Sequence, residues 1–300
     1  MSAADLENGE LELTGRITTA SNATFLAQLD GIPVVYKPVA GERPLWDFPD
    51  GDLASREFAA YLVSEAFGWN VVPRTWLRDG PRGVGMVQLW QNIDPDQDAV
   101  DVVSSDAVPD EGWRRVFDGT DNGSRAVALI HEDSPALRRM AVFDIVVNNA
   151  DRKGAHVLAM ADGRRHGVDH GLTFHVEHKL RTVLWGWMGE DLTADELDGV
   201  ERVRSGLAGA LGACFTGGTA EHQRLTLRQA VGEQHPVLCV EAFADRRGDR
   251  SANPAIDFVE DHRPRLARLS QRDFQCENEA RQLATRRDPG ERAKWRAGVG

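Results

Sequence analysis

One stretch of sequence, residues 143–158, constrains the fold of this chain more than any other. It reads FDIVVNNADRKGAHVL, an apolar helix that runs into a polar turn. The helix is predicted to begin at Asp133 or Ser134, because Pro135 then occupies its first position, where proline is favoured. Apolar residues recur at helical spacing and predict one buried face. These residues are Leu137, Met140, Ala141 and Ile145.

A short hairpin is predicted after the polar turn, and it ends on a second acid. Residues 157–169 can fold back on themselves around Asp162-Gly163, a dipeptide that is typical of tight turns. Asp151 and Asp169 then leave neighbouring backbone segments, so we expect their carboxylates to converge on one small volume. Such a pair suits phosphoryl transfer, in which one carboxylate accepts the proton of the attacking hydroxyl and the other holds the metal.

The order of these motifs resembles the catalytic and metal loops of the phosphatidylinositol 3-/4-kinase-like branch of the protein-kinase superfamily. Residues 148–152 (NNADR) are most similar to type II phosphatidylinositol 4-kinases and bacterial HipA-type kinases. Residues 10–210 as a whole resemble an actinobacterial family described as phosphatidylinositol 3-/4-kinase-like. The resemblance implies an α+β, two-lobed, protein-kinase-like fold. Its N-lobe would be small and β-rich with one helix, and its C-lobe mainly helical.

The resemblance also implies a role for each polar residue of the two loops. Asp151 is the expected catalytic base, with Arg152 beside it in the catalytic set, and Asp169 is an expected metal ligand. Asp144, on the preceding helix, is expected to be a buried partner of the loop, with Arg152 as its counter-charge. His156 stands where protein kinases and type II phosphatidylinositol 4-kinases place an asparagine. Imidazole is a softer ligand than an amide oxygen, so His156 is predicted to shift the metal preference from Mg²⁺ towards Mn²⁺. Alternatively, Asp169 binds the metal alone and His156 only forms a hydrogen bond nearby.

The N-lobe, residues 1–93, is expected to bind ATP, the other cofactor that the resemblance implies. Strands are predicted at 11–18, 24–29 and 32–37. The turn between the first two strands lacks the glycines of a protein-kinase phosphate loop. Ser21 and Asn22 are the residues in this turn that would present backbone N–H groups to phosphate; an ordinary hairpin turn is the alternative.

A lysine at the end of the third strand and a glutamate on the next helix form a predicted pair. Lys37 is one of only four lysines in the chain, which suggests a need for a compact charge, although a solvated residue is the alternative. Residues 52–67 are predicted to form an amphipathic helix that Gly68 ends. Its Glu57 resembles the glutamate that pairs with the strand lysine in kinases. The predicted inward side chains are Leu53, Phe58, Leu62 and Ala66.

A second hairpin, residues 72–90, is predicted to lead into the segment that meets adenine. Its backbone at Gln88 and Leu89 would be the hinge. Residues 94–112 are acidic and contain prolines, so they are predicted to be an exposed connector. A short helix is predicted at 111–117, just after it.

The C-lobe, residues 113–212, is expected to carry both loops and to end with a helix at 193–211. Thr193 and Glu196 form a capping box for that helix. Residues 213–300 are a tail to which no function is assigned, because glycine and arginine become frequent and apolar periodicity weakens there.

A local cluster of positive charge is the candidate acceptor site. Four basic side chains lie close in sequence to two tryptophans, so the segment could bind an anionic or sugar-like substrate. The alternative is that the loop is solvated and the two indoles pack in the lobe. The cluster contains His175, His178, Lys179 and Arg181, next to Trp185 and Trp187.

Charge and hydropathy limit the partners and the location. The net charge of −12 argues against nucleic acid and against stable association with an anionic membrane. No run of about 18 apolar residues occurs, and the first ten residues are acidic and polar, so a cytoplasmic location is expected. A small-molecule or protein hydroxyl is therefore the expected acceptor.

Three functions remain open at this point. The first is an ATP-dependent phosphotransferase that acts on a hydroxyl group. The second is a pseudokinase, that is, an ATP-binding module without turnover. The third is a metal-dependent hydrolase, whose ligands would be His156, His166, Asp169 and His170.

Overall fold

The computed structural model describes residues 8–18, 20–49, 51–121, 123–215 and 223. Its N-terminal part is a five-stranded antiparallel sheet. The strand order is β1-β2-β3-β5-β4. The strands are β1 (Leu11–Ile17), β2 (Thr24–Leu29), β3 (Ile32–Pro38), β4 (Thr75–Gly80) and β5 (Gly83–Leu89). Asp30 and Gly31 join β2 to β3 with φ angles of 47° and 82°, the left-handed geometry that suits a two-residue hairpin turn. The strands predicted in the N-lobe are confirmed.

Helix α1 (Leu53–Phe67) follows β3 and begins and ends as the sequence predicts. Asp52 caps it by accepting the Ser55 amide at 2.6 Å, and Gly68 ends it with a left-handed φ of 69°. The predicted inward face is confirmed only in part. Phe58, Leu62 and Ala66 pack against the apolar clusters, but they and Leu53 are only partly buried.

The buried face of α1 is rotated because the helix packs against both the N-terminal sheet and the core of the C-lobe. Its small residues Ala59 and Ala60 let it approach that core closely, whereas Phe58 packs against the apolar cluster of the sheet. A single apolar stripe does not describe a helix with two packed sides. Glu57 lies on the buried face and is 2% exposed.

A three-stranded antiparallel sheet begins the second half of the fold, in the order β6-β8-β7. Its strands are β6 (Val100–Ser104), β7 (Trp113–Thr120) and β8 (Ala126–Glu132). The helix predicted at 111–117 is wrong, because these residues form most of β7, and the predicted connector at 94–112 contains β6. The central strand β8 is buried at residues 128–131. Its backbone groups therefore need partners on both edges, which the two preceding segments supply.

Three helices and one hairpin complete the described part of the C-lobe. They are α2 (Pro135–Val146), β9 (Val157–Ala159), β10 (Arg165–Gly167), α3 (Ala194–Leu207) and α4 (Ala210–Cys214). Ser134 caps α2, and Thr193 and Glu196 form the predicted capping box of α3. The helix predicted to run to residue 211 ends at Leu207, and the chain becomes helical again after Gly209. Most of the predicted tail, residues 216–222 and 224–300, lies outside the described residues.

One apolar core joins α1 to α2 and α3. Phe67 of α1 and Met140 of α2 are completely buried in it, and burying a side chain of this size contributes about 1.5–3 kcal/mol. None of the helices in the described ranges is both long and apolar enough to cross a membrane. The fold is α+β with two lobes, and α1 belongs structurally to both.

Candidate active site

Three charged side chains from distant parts of the chain meet between the lobes. Lys37 on β3 places its Nζ 2.5 Å from Glu57 Oε1 on α1 and 2.8 Å from Asp169 Oδ1, two residues after β10. The second oxygen of Glu57 accepts the backbone amide of His170 at 3.1 Å. Glu57 therefore holds the lysine and the metal loop at the same time.

The electrostatics of this trio keep the lysine and Asp169 ionised. Burial alone would lower the pKa of Lys37, but the charges of Asp169 and Glu57 outweigh burial and raise it above its ordinary value. The positive charge of Lys37 lowers the pKa of Asp169, whose side chain is about half exposed. Burial raises the pKa of Glu57, and Lys37 opposes that rise.

His156 connects the metal loop to the catalytic loop. It ends a short 3-10 turn, Gly154–His156, and its Nδ1 lies 2.8 Å from the backbone oxygen of Asp151. A carbonyl oxygen only accepts, so Nδ1 carries the proton, and burial lowers the pKa of His156, which favours the neutral ring.

The other ring nitrogen of His156 faces a carboxylate. Nε2 lies 3.4 Å from Asp169 Oδ2, and in this tautomer it presents a lone pair to an oxygen that also carries lone pairs. Two acceptors that face each other in this way repel unless a proton or a metal ion lies between them. His156 and Asp169 therefore offer one nitrogen and one oxygen ligand to a divalent metal ion.

Asp151 is positioned by its own loop and has a neighbour that the sequence analysis overlooked. Its backbone amide donates to Asn149 Oδ1 at 3.0 Å, and its carboxylate lies 2.9 Å from Lys153 Nζ. The scarcity of lysine could have identified Lys153, because all three lysines in the described ranges, Lys37, Lys153 and Lys179, lie on the segments that build this site.

A buried ion pair supports the catalytic loop from behind. Arg152 Nη2 lies 2.8 Å from Asp144 Oδ1 on α2, and neither side chain is exposed to solvent. The same carboxylate accepts hydrogen bonds from the side-chain amide of Asn149 at 2.9 Å and from the Thr182 hydroxyl at 3.2 Å. Asp144 and Arg152 therefore pair as the sequence predicts, and the guanidinium of Arg152, which was also placed in the catalytic set, is buried in this pair.

The guanidinium of Arg152 also touches the segment that leads to the metal loop. It donates to the backbone oxygen of His156 at 3.1 Å and lies 2.8 Å from His170 Nε2. Because an arginine only donates, His170 Nε2 accepts, and burial holds the pKa of His170 well below its usual range. A Cβ at Gly167 would lie 2.9 Å from Arg152 Nη2, so this close approach requires glycine.

The catalytic loop also holds the segment that carries the predicted acceptor cluster. Asn148, at a left-handed φ of 51°, donates to the backbone oxygens of His175 and Glu177 and accepts the Lys179 amide, all within 2.9 Å. On the other side, Phe48 packs edge-on against His175 at 4.9 Å. Contacts on both sides therefore brace the segment at 175–179, that is, they hold it against the catalytic loop and Phe48.

The members of the predicted acceptor cluster differ in their surroundings. Lys179 Nζ lies 3.7 Å from Glu177 and 3.9 Å from Asp47, so its charge is partly compensated. Trp187 is buried and donates to Asp133 Oδ1 at 2.9 Å, as in the alternative in which the indoles pack in the lobe.

The predicted phosphate-binding turn is fixed by side-chain and backbone contacts. Asn22 Oδ1 accepts the Arg43 amide at 2.9 Å, and the Ala23 amide donates to Gly41 O at 3.1 Å. Ser21 is exposed. The side-chain oxygen of Asn22 is therefore engaged within the lobe.

The backbone amides of the predicted hinge are already used in hydrogen bonds within the lobe, so they are not free to meet adenine. The Leu89 amide donates to Arg74 O at 3.0 Å and the Trp90 amide to Pro33 O at 3.1 Å, so the sheet uses both. Gln88 turns its side-chain amide to the Thr75 hydroxyl at 2.8 Å. The Leu89 carbonyl accepts a 3.2 Å hydrogen bond from the Gln91 side chain.

The ligand set predicted for a hydrolase does not assemble. Within the residues that the structure describes, no group of three or more His, Cys, Asp or Glu side chains is arranged to hold a metal ion. Of the four predicted ligands, His156 and Asp169 face each other, and His170 is occupied by Arg152.

The sheet with its lysine, the helix with its paired glutamate and the two loops of the C-lobe build the candidate site in an α+β fold with two lobes. No family model matches the chain. It is 49% identical over 239 residues to protein Rv2133c of Mycobacterium tuberculosis, a match that spans 75% of this chain and 86% of that protein. The chain therefore belongs to the same family as Rv2133c. Among solved structures, it is similar to the proinflammatory kinase CtkA of Helicobacter pylori, with a TM-score of 0.42 and 11% identity over 81% of this chain and 98% of that one.

Replacing Asp144 with asparagine should strongly destabilise the protein. The change leaves the Arg152 charge buried without a counter-charge, and breaking a buried pair in this way costs about 3–5 kcal/mol. The matched control is Asp195→Asn, which removes an exposed partner of Arg139 and should cost at most about 1 kcal/mol. Free energies of unfolding in urea measure both. Equal, small effects would show that the buried pair does not hold the loops.

Proposed function

We propose that this protein is an ATP-dependent phosphotransferase that acts on a hydroxyl group. The observation that carries the proposal is the continuous line of contacts from Lys37 through Asp169 and His156 to the loop of Asp151. It joins a phosphate-binding cation, two metal-ligating groups and a carboxylate base, which are the parts that phosphoryl transfer needs.

Lys37 is the residue that would contact the nucleotide phosphates. Glu57 positions it and fixes the backbone at His170, so the phosphate-binding and metal-binding groups keep their relative places. His156 and Asp169 would hold Mg²⁺ or Mn²⁺, which when bound supplies positive charge to the phosphate oxygens.

Asp151 is the proposed base. Its carboxylate takes the proton as the acceptor's O–H bond breaks, the acceptor oxygen bonds to the terminal phosphorus of ATP, and ADP leaves. Lys153, at 2.9 Å, holds the carboxylate in place before the acceptor arrives. Arg152 acts only from behind, through its bond to Asp144.

The acceptor is proposed to be a soluble polyol-like molecule or a protein hydroxyl, within a phosphatidylinositol 3-/4-kinase-like branch of the superfamily. The net charge of −12 supports a soluble acceptor over a lipid in an anionic bilayer. The braced segment at 175–179 is the surface proposed to face it.

A nucleotide-binding module without turnover is the second candidate. Two observations favour it: Lys153 already engages the carboxylate of Asp151, and the turn at Ser21 and Asn22 lacks the glycines of a phosphate loop. ATP that raises the melting temperature but is never consumed, with any acceptor, would select this candidate.

Replacing Asp151 with asparagine should lower turnover about 10²- to 10⁴-fold, because the acceptor proton then has no base to receive it. ATP affinity should stay within about threefold of the parent, since the side chain is not expected to touch the nucleotide. ATP consumption is measured with polyol, protein and lipid-vesicle acceptors, and ATP affinity by calorimetry. Asp118→Asn, at an exposed acid of β7 that pairs with Arg115, is the control. A parallel loss of ATP affinity would instead make Asp151 a metal-binding or structural residue.

His156 should set the metal preference of the reaction. Turnover should be higher with Mn²⁺ than with Mg²⁺ at matched free-metal concentrations, because imidazole is a softer ligand than an amide oxygen. His156→Asn should restore support by Mg²⁺. Metal titrations of ATP turnover in the parent, His156→Asn and His156→Ala measure this. An alanine variant with the parent's metal preference would show that His156 is not a ligand.

A further inference from the structure

A closed path of contacts leads from Lys37 to the N-terminus of α1 and back again. Strand β3 ends at Pro38, one residue after Lys37, and continues into a short 3-10 turn, Val39–Gly41, and then into Glu42. The carboxylate of Glu42 binds the first turn of α1. The same helix carries Glu57, which lies 2.5 Å from Lys37 Nζ and so closes the path.

Glu42 is linked to α1 through both of its carboxylate oxygens. Oε2 accepts the Leu53 amide at 2.8 Å, and Oε1 accepts the Ala54 amide at 2.9 Å. These two amides belong to the first turn of the helix, where backbone N–H groups have no partner within the helix and where the helix dipole favours a negative charge. Because two bonds fix one carboxylate, a shift at the end of β3 also shifts the start of α1.

The predicted phosphate-binding turn is attached to the chain on both sides of Glu42. The Ala23 amide donates to Gly41 O at 3.1 Å, and the Arg43 amide donates to Asn22 Oδ1 at 2.9 Å. The two backbones approach so closely that a Cβ at Gly41 would lie 2.4 Å from the Cβ of Ala23, so this position requires glycine. Glu42 therefore lies where the turn, the end of the lysine strand and the helix meet.

The start of α1 also contacts the loop that carries the proposed metal ligand Asp169. A Cβ at Gly171, two residues after Asp169, would lie 3.1 Å from the Cβ of Leu53. One turn further along the helix, Glu57 Oε2 accepts the His170 amide at 3.1 Å. The part of α1 that the carboxylate of Glu42 holds is therefore the part against which the metal loop packs.

We propose that Glu42 is a positioning residue for nucleotide binding. Its carboxylate keeps the turn at residues 21–23, the Lys37 ammonium and Glu57 in one fixed arrangement, so that the turn and the lysine meet the phosphates of one ATP molecule together. Glu42 acts through the end of β3 and the start of α1. Without its carboxylate the competent arrangement is only fractionally populated, and apparent affinity falls by that fraction. The inference rests on the proposed function, because it takes Lys37 and the turn as phosphate-binding groups.

Calorimetry of ATP binding in the presence of Mn²⁺, with the variants Glu42→Ala and Asp52→Ala, tests the proposal. Asp52 is the matched control, because it also caps α1 but accepts the Ser55 amide, within the helix it precedes, at 2.6 Å. Both variants lose a helix cap, so both melting temperatures should fall. We expect Glu42→Ala to weaken ATP binding at least about tenfold, and Asp52→Ala by no more than about threefold, because the carboxylate of Glu42 also fixes the strand end and the turn.

The dependence on phosphate is a readout that a purely structural role of Glu42 would not change. Adenosine carries no phosphate, so its affinity should be the same in the parent and in Glu42→Ala. Glu42→Gln keeps the length of the side chain and one acceptor oxygen. It should weaken ATP binding less than Glu42→Ala does, and it decides the question if the alanine variant does not fold.

Two results would overturn the proposal. The first is an equal loss of ATP affinity in Glu42→Ala and Asp52→Ala, and the second is a loss of adenosine affinity as large as the loss of ATP affinity. A parent protein that binds no ATP would be a different result, because it would contradict the proposed function itself.

Discussion

The buried pair of Asp144 and Arg152 is the contact on which the rest of the site depends. Two charges without solvent exposure are stable only if nearly every donor and acceptor around them is satisfied. Here the side chains of Asn149 and Thr182 donate hydrogen bonds to the Asp144 carboxylate. The guanidinium of Arg152 also contacts the backbone of His156 and the ring of His170. One carboxylate on α2 thereby fixes the catalytic loop, the approach to the metal loop and the segment that follows it. Asp151 is held in place because its neighbour is held.

The site also requires both lobes. Lys37 belongs to the sheet, Glu57 to the helix shared by the lobes, and Asp169 to the C-lobe. Glu57 connects them with its two oxygens, one on the lysine and one on the backbone after Asp169. A partly buried lysine with two carboxylate partners stays charged, which is the property that a phosphate-binding residue needs. His156 then carries the line of contacts to the catalytic loop, through a tautomer that its own loop fixes.

Local signals in the sequence predicted the parts, whereas long-range packing decided how they are used. Asp52, Ser134 and Thr193 marked helix starts correctly because a cap acts within one turn. The strand at β7 was missed because it depends on β8, a buried strand that needs partners on both edges. The pairing of Arg152 with Asp144 was predicted, whereas the contacts of the same guanidinium with His156 and His170 depend on long-range packing and were not. Likewise, the backbone amides of Leu89 and Trp90 donate to neighbouring chain segments of the sheet, and only the observed strand pairing shows that they are used there.

The central claim is that Lys37, Glu57 and Asp169 act as one nucleotide-binding unit, and the most direct test is a double-mutant cycle on ATP affinity. Calorimetry with Mn²⁺ and ATP would compare the parent with Lys37→Met, Glu57→Gln and the double variant. Because Glu57 acts through Lys37, we expect the lysine change to weaken binding at least about tenfold, the glutamate change less, and the double variant no more than the lysine change alone. Losses that multiply fully in the double variant would contradict the account, because they would mean that the two residues act independently.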